Sequence, residues 1–221
     1  MSAAAASTVV ELNTLLDRKR LWRGPAPKPD TPSAAPTGHV ELDAALPSGG
    51  WPESAISELM LAADGIGEIQ LLLPTLVRLT QQGRAVVWVA PPYRPYAPAL
   101  ARAGVDLAQL HVIDADDQAP WALEQCLRSQ ACAAVLGWLP RADDRCLRRL
   151  QVAAETGHAL GFLFRPEAAA QNPSPAALRL ALQPGLLRVL KCRGGVAPER
   201  AFALNTADLN TAALPTAQLA G

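Results

Sequence analysis

The sequence carries no excess charge of either sign: 20 Lys and Arg stand against 20 Asp and Glu over 221 residues. A whole-molecule basic field for nucleic acid is thereby excluded, and any phosphate contact would need a local patch. Aromatic residues make up only 5% of the chain. Cysteine and histidine are scarce too. Cys126, Cys132, Cys146 and Cys192 form no C-x-x-C pair, and His39, His111 and His158 lie far apart in sequence. Such spacing offers no metal site, so no metal is expected. The cysteines read as small, buried apolar residues of a reducing compartment. No apolar run approaches the roughly 20 residues needed to span a bilayer, which argues against a membrane partner. Near the start, the basic cluster of Arg18, Lys19 and Arg20 follows the apolar residues, the reverse of a secretory leader, and the expected location is the cytoplasm.

What is present fits a globular chain. Half the residues are hydrophobic and 18% are charged, a balance that can bury a core. The length suits one α/β domain with tails. Residues 1–23 hold a short amphipathic helix, with Val9, Leu12, Leu15 and Leu16 on one face and cations in its last turn. Residues 24–37 contain five prolines and read as an extended linker. The domain is expected over 38–195, and 196–221 reads as a flexible tail.

Within the domain, strands and helices alternate. Strands are expected near 55–61, 84–90, 110–113, 132–138 and 159–164. Helices are expected near 39–46, 67–82, 96–103, 118–130 and 143–156. Gly83, Gly104 and Gly157 sit where C′ glycines belong, Pro120 suits a first helical turn and Asp143 an N-cap. The runs AVVWVA and AAVLGWL are nearly continuous apolar stretches, as strands covered on both faces require. The result is a mainly parallel sheet with helices on both sides. LRLALQ, Pro184-Gly185 and LLRVLK then read as a closing antiparallel hairpin.

The strand AISELML runs into a glycine-containing turn and a long helix, the order of a P-loop. A working P-loop ends G-K-[ST], its Lys reaching the phosphates and its hydroxyl the magnesium ion. Here Gly65 and Gly67 are followed by Glu68 where the Lys is required, and by Ile69 where the hydroxyl is required. A carboxylate about 4 Å from a phosphate charge is repelled by about 4 kcal/mol at an effective dielectric of about 20. AVVWVA ends in Pro91-Pro92, without an acid to orient a water. AAVLGWLP carries Gly137 and Trp138 where a metal-binding acid would stand. The expectation is a degenerate P-loop, no catalytic residue, no cofactor and no enzyme activity.

Candidate contact surfaces are then basic or aromatic. Arg18, Lys19, Arg20, Trp22 and Arg23 end the tethered N-terminal helix and suit docking onto a neighbour or packing on its own domain. Arg141, Arg145, Arg148 and Arg149 are spaced to share a helical face, fit for phosphates, for an acidic partner, or merely for solvent. Arg188, Lys191 and Arg193 border the hairpin, where they could contact a partner or guard an edge strand. Tyr93, Arg94 and Tyr96 follow a parallel strand at the sheet edge that commonly binds ligands, where they could stack on bases or a partner side chain, or form a rigid turn with the rings folded over that edge. Trp51, Trp88, Trp121 and Trp138 read as core or core margin.

The segment PTGHVELDAALPSGGWP with ELMLAADGIGE resembles the approach to the P-loop in RecA recombinases. QLLLPTLVRLTQQGRAVVWVAPP, LGWLPRADDRCLRRLQVAAETG and GFLFRP resemble the SulA/ImuA branch of that superfamily. With LLDRKRLWRG and LRVLKCRGG, residues 9–195 resemble ImuA. The resemblance implies a RecA-like three-layer α/β fold in a bacterial cytoplasm. It also implies a non-catalytic adaptor in SOS-associated DNA repair and translesion synthesis. The implied partners are an ImuB-like polymerase relative, an error-prone C-family polymerase and RecA, with self-association and direct DNA contact left open. SulA relatives instead block cell division by binding FtsZ, which is the alternative reading.

Overall fold

The computed structural model describes residues 35–204. The expected N-terminal helix, with Arg18, Lys19, Arg20, Trp22 and Arg23, lies outside the described residues. The described chain opens with helix α1 (Val40–Ala45), strand β1 (Ala55–Leu61), helix α2 (Glu68–Gln81) and strand β2 (Ala85–Val89). Helix α3 (Ala97–Arg102), strand β3 (Leu110–Ile113), helix α4 (Ala119–Arg128) and strand β4 (Cys132–Trp138) follow. Helix α5 (Asp144–Gly157), β5 (Leu160–Pro166), β6 (Leu178–Gln183), β7 (Leu186–Cys192) and β8 (Phe202–Ala203) complete it.

One eight-stranded sheet results, in the order β3-β2-β4-β5-β1-β6-β7-β8. The pairings from β3 through β6 are parallel, and β6–β7–β8 is antiparallel. The period of two along each strand sorts side chains onto two cores. Leu59, Leu61, Trp88, Trp138, Phe162, Phe164 and Leu180 pack on the α2 side. Ile56, Val87, Val135 and Leu163 pack with Leu123 and Leu127 of α4 and Leu147 and Leu150 of α5. Both sheet faces are therefore covered, which is why the central strands read as unbroken apolar runs.

β1 interrupts that run with a charge. Glu58 is 0% exposed. Its carboxylate accepts from Arg165 Nη1 at 2.6 Å and from Arg179 Nε at 2.8 Å. Arg165 comes from β5 and Arg179 from β6, so one carboxylate ties three adjacent strands. The spare donors are used on backbone: Arg165 Nη2 reaches the Ala142 carbonyl, and Arg179 reaches those of Ala169, Ala170 and Asn172. A buried ion cluster is tolerated only when its lone pairs and protons are satisfied in this way.

The approach to β1 is packed rather than free. Ala35 is buried and Thr37 fully so, so the folded part begins ahead of the expected boundary at 38. Trp51 donates from Nε1 to Thr75 Oγ1 at 2.8 Å and meets Phe162 edge-on, with centroids 4.9 Å apart. Two further expectations change. Gly157 is the last residue of α5, and His158 takes the left-handed conformation at φ 53°. Glycine is needed at 157 for closeness, since a Cβ there would lie 1.8 Å from the Leu127 carbonyl oxygen. The stretch after Gly195 also does more than trail away. β8 pairs with β7, Phe202 is buried, and the Arg200 guanidinium lies 4.9 Å from its ring centroid.

Removing the shared carboxylate would leave two buried guanidinium groups without a counter-charge. Glu58→Ala is expected to cost about 3–5 kcal/mol of folding stability, read by denaturant unfolding.

Candidate functional site at the carboxyl edge of the sheet

The loop between β1 and α2 lies at the carboxyl end of the parallel strands, the usual ligand side of such sheets. Gly65 and Gly67 both hold positive φ, at 77° and 114°. They present backbone N–H groups in the manner of an anion nest. The nest is already filled. Glu68 folds back so that its carboxylate accepts from Gly65 N at 2.8 Å and from Gly67 N at 3.1 Å, and it is buried. The side chain standing where the Lys was required thus acts as a resident anion. Ile69 packs against the core on the α2 side. Glu68→Ala would empty the nest and lose two charge-assisted hydrogen bonds, an expected loss of about 2 kcal/mol measurable by thermal unfolding.

Beside this loop lies an apolar pocket of about 230 Å3. Trp88 and Trp138 form its floor, Glu68 and Ile69 one wall, and Pro91, Pro92, Tyr93 and Tyr96 its mouth. Both indoles are buried, and neither Nε1 donor has a partner. A buried N–H without an acceptor is uncommon and costs free energy until one arrives. The two tyrosines at the mouth are 72% and 68% exposed. A hydrophobic floor beneath a rim of exposed aromatics suits an apolar side chain, as a protein partner presents. The tilted Trp88–Trp138 pair and the stacked Trp138–Phe164 pair fix the floor, with centroids 5.6 and 4.5 Å apart. Gly137, read from sequence as a lost metal-binding position, is set by packing: a Cβ there would lie 2.4 Å from Leu123 Cδ2.

The basic candidates separate. Arg141 precedes α5, whose N-cap Asp143 accepts from Cys146 N at 2.7 Å, so the four arginines do not share one helical face. Arg148 pairs with Asp144 at the surface. Arg141, Arg145 and Arg149 line a cleft together with Arg165, which sequence reasoning did not single out. Arg149 is bonded to Glu124, which also pairs with Arg128. At the hairpin, Lys191 donates to the Ser174 carbonyl and Arg193 to that of Pro175. Burial lowers the Lys191 pKa below the usual lysine value, with Arg179 and Arg193 adding to the effect. These two cations fasten the segment before β6, while Arg188 is exposed on β7. Trp121, expected at the core margin, is 58% exposed.

The cysteines are not all inert packing. Cys192 is buried, but Cys126 and Cys132 are partly accessible, and Ser129 Oγ lies 3.5 Å from Cys132 Sγ. The neighbouring Cys126 thiol lowers the Cys132 pKa to about 6, assisted by Ser129, while burial opposes it. The same contact pushes Cys126 upward. A depressed pKa means that the thiolate's contribution to stability is complete above about 8.5, the pKa of a free thiol, and is lost as pH falls through about 6. Iodoacetamide is expected to modify Cys132 with a rate midpoint near that pH. In Cys126→Ala the midpoint should return toward about 8.5, the value of an unperturbed thiol.

Comparison with known proteins decides the family. The pattern of the family described as "Cell division inhibitor SulA" matches residues 54–161. The cell division inhibitor SulA of Serratia proteamaculans is 33% identical over 124 residues, which span 53% of this chain and 71% of the relative. That of Yersinia enterocolitica is 34% identical over 115 residues, 50% of this chain and 67% of the relative.

The chain belongs to the SulA family.

A crystal structure of SulA from Pseudomonas aeruginosa aligns at 25% identity over 52% of this chain and 99% of that one, with a TM-score of 0.43. Membership corrects the expectation of a translesion adaptor. The relatives are cell division inhibitors, and the ImuB-like polymerase relative, the C-family polymerase and RecA drop out as partners. Of the hairpin cations, read as able to contact a partner or guard an edge, Lys191 and Arg193 hold the chain before β6. No helix among the described residues is long and apolar enough to cross a membrane.

Proposed function

We propose that this protein is a cytoplasmic, SulA-like inhibitor of bacterial cell division in the SOS response. It works by docking onto FtsZ, the partner that the resemblance to SulA implies. The observation that carries the reading is the carboxyl-edge pocket. It offers an apolar floor of Trp88 and Trp138, an exposed Tyr93–Tyr96 rim, and Pro91 and Pro92 at its mouth, all of which suit a protein contact.

We infer further that the protein is not an ATPase. The Glu68 carboxylate fills the loop that would receive phosphate, and no cation follows Gly67. This reading includes the RecA-like character of the domain. β1, the glycine turn and α2 keep the strand–loop–helix order of a P-loop without its Lys and hydroxyl, which supports a nucleotide scaffold reused for binding. A finer placement beside ImuA within the family rests on the approach from 35 to 53 and on the hairpin of β6 and β7. Both lie outside the matched region. That placement concerns ancestry and carries no polymerase partner with it.

High expression in a rod-shaped bacterium should produce long, undivided filaments, and the purified chain should suppress GTP-dependent assembly of FtsZ. Tyr93→Ala combined with Tyr96→Ala should weaken that suppression by about 2 kcal/mol or more, the range of interface anchors. Cells of normal length at high expression would remove the proposal.

A further inference from the structure

The cleft beside α5 is a second concave surface, and it shares no lining residue with the aromatic pocket. It encloses about 950 Å3, within the size range of ligand sites. Arg141, Arg145, Arg149 and Arg165 line it, against one carboxylate, Asp143. Asp143 is already engaged as the N-cap of α5. Arg141 and Arg145 are exposed and make no side-chain hydrogen bond or ion pair among the described residues.

Arg165 gives the cleft its second, independent feature. It is 3% exposed, and its Nε has no partner. It shares Glu58 with Arg179, so the buried cluster holds two guanidinium groups for one carboxylate. A surplus positive charge in a weakly polar interior is costly, and an anion held nearby offsets it. The α5 N-terminus opens on the same cleft through Asp143 and adds its dipole in the same sense. Arginine forks match phosphate oxygens in pairs. The guanidinium groups also outnumber the single acid by more than a carboxylate ligand would need.

We propose that this cleft binds phosphate groups carried by an organic phosphate. Arg141 and Arg145 make the primary contacts, Arg149 exchanges part of its contact with Glu124, and Arg165 supplies fixed positive charge from the floor. The site needs no magnesium and is separate from the closed loop at Glu68. The proposal does not rest on the division-inhibitor reading, and either can fail alone.

The test uses the full-length protein with fluorescein-labelled single-stranded oligonucleotide in anisotropy, and with ATP and inorganic phosphate as competitors without magnesium. Saturable binding is expected. Arg141→Glu with Arg145→Glu should weaken it at least tenfold while leaving the circular dichroism spectrum unchanged, since both side chains are exposed. Competition by ATP at equal phosphate concentration would assign the site to free nucleotides. Resistance to ATP, with a salt slope of about −0.7 per phosphate contacted, would assign it to a strand. The proposal is overturned if the double variant binds as tightly as the parent. It is equally overturned if a polyglutamate peptide binds more tightly than every phosphate probe.

Discussion

Glu68 sits at the start of α2 and folds its carboxylate onto the N–H groups of Gly65 and Gly67. The geometry of that turn, two residues at positive φ leading into a long helix, is one that elsewhere holds phosphate. A side chain of the same sign as phosphate fills it from within. The turn is thereby stable without a ligand, and an incoming phosphate would have to displace a buried charge. What the sheet edge exposes beside that turn is the pair of phenols at Tyr93 and Tyr96 and the prolines Pro91 and Pro92, over a floor of buried indoles.

A second carboxylate, ten positions earlier, shapes the other face. Glu58 binds outward to neighbouring strands where Glu68 binds back to its own loop. By joining Arg165 and Arg179 across β5, β1 and β6, it fixes the junction between the parallel sheet and the closing hairpin. It also leaves the floor of the arginine cleft positively charged. Two acids of one β–loop–α unit are therefore used in opposite ways, one filling its own loop and the other pairing with the arginine that floors the cleft.

Much of the fold was legible in the sequence because its signals are local. Apolar runs marked the covered strands, Gly83 and Gly104 marked helix ends, and Asp143 marked the N-cap that α5 uses. A carboxylate just after the loop glycines was visible at Glu68, but its use as a plug was not, since it depends on where the side chain turns. Spacing alone put Arg141, Arg145, Arg148 and Arg149 on one face. The helix begins at Asp144, so the true grouping replaces Arg148 with Arg165, from a strand distant in sequence. Gly137 and Gly157 looked like a lost ligand position and a cap, whereas close approach of Leu123 and Leu127 requires them. The choice of partner was misjudged because it followed the resemblance to ImuA, whereas the relatives that match are cell division inhibitors.

The claim that Glu68 closes the loop is tested most directly by following the backbone amide resonances of Gly65 and Gly67 while Mg-ATP is added to the isotope-labelled protein. The account requires both resonances to stay where they are, even at millimolar nucleotide. A saturable, magnesium-dependent shift of either one would mean that the carboxylate yields its place to phosphate, and the account would be wrong at its centre.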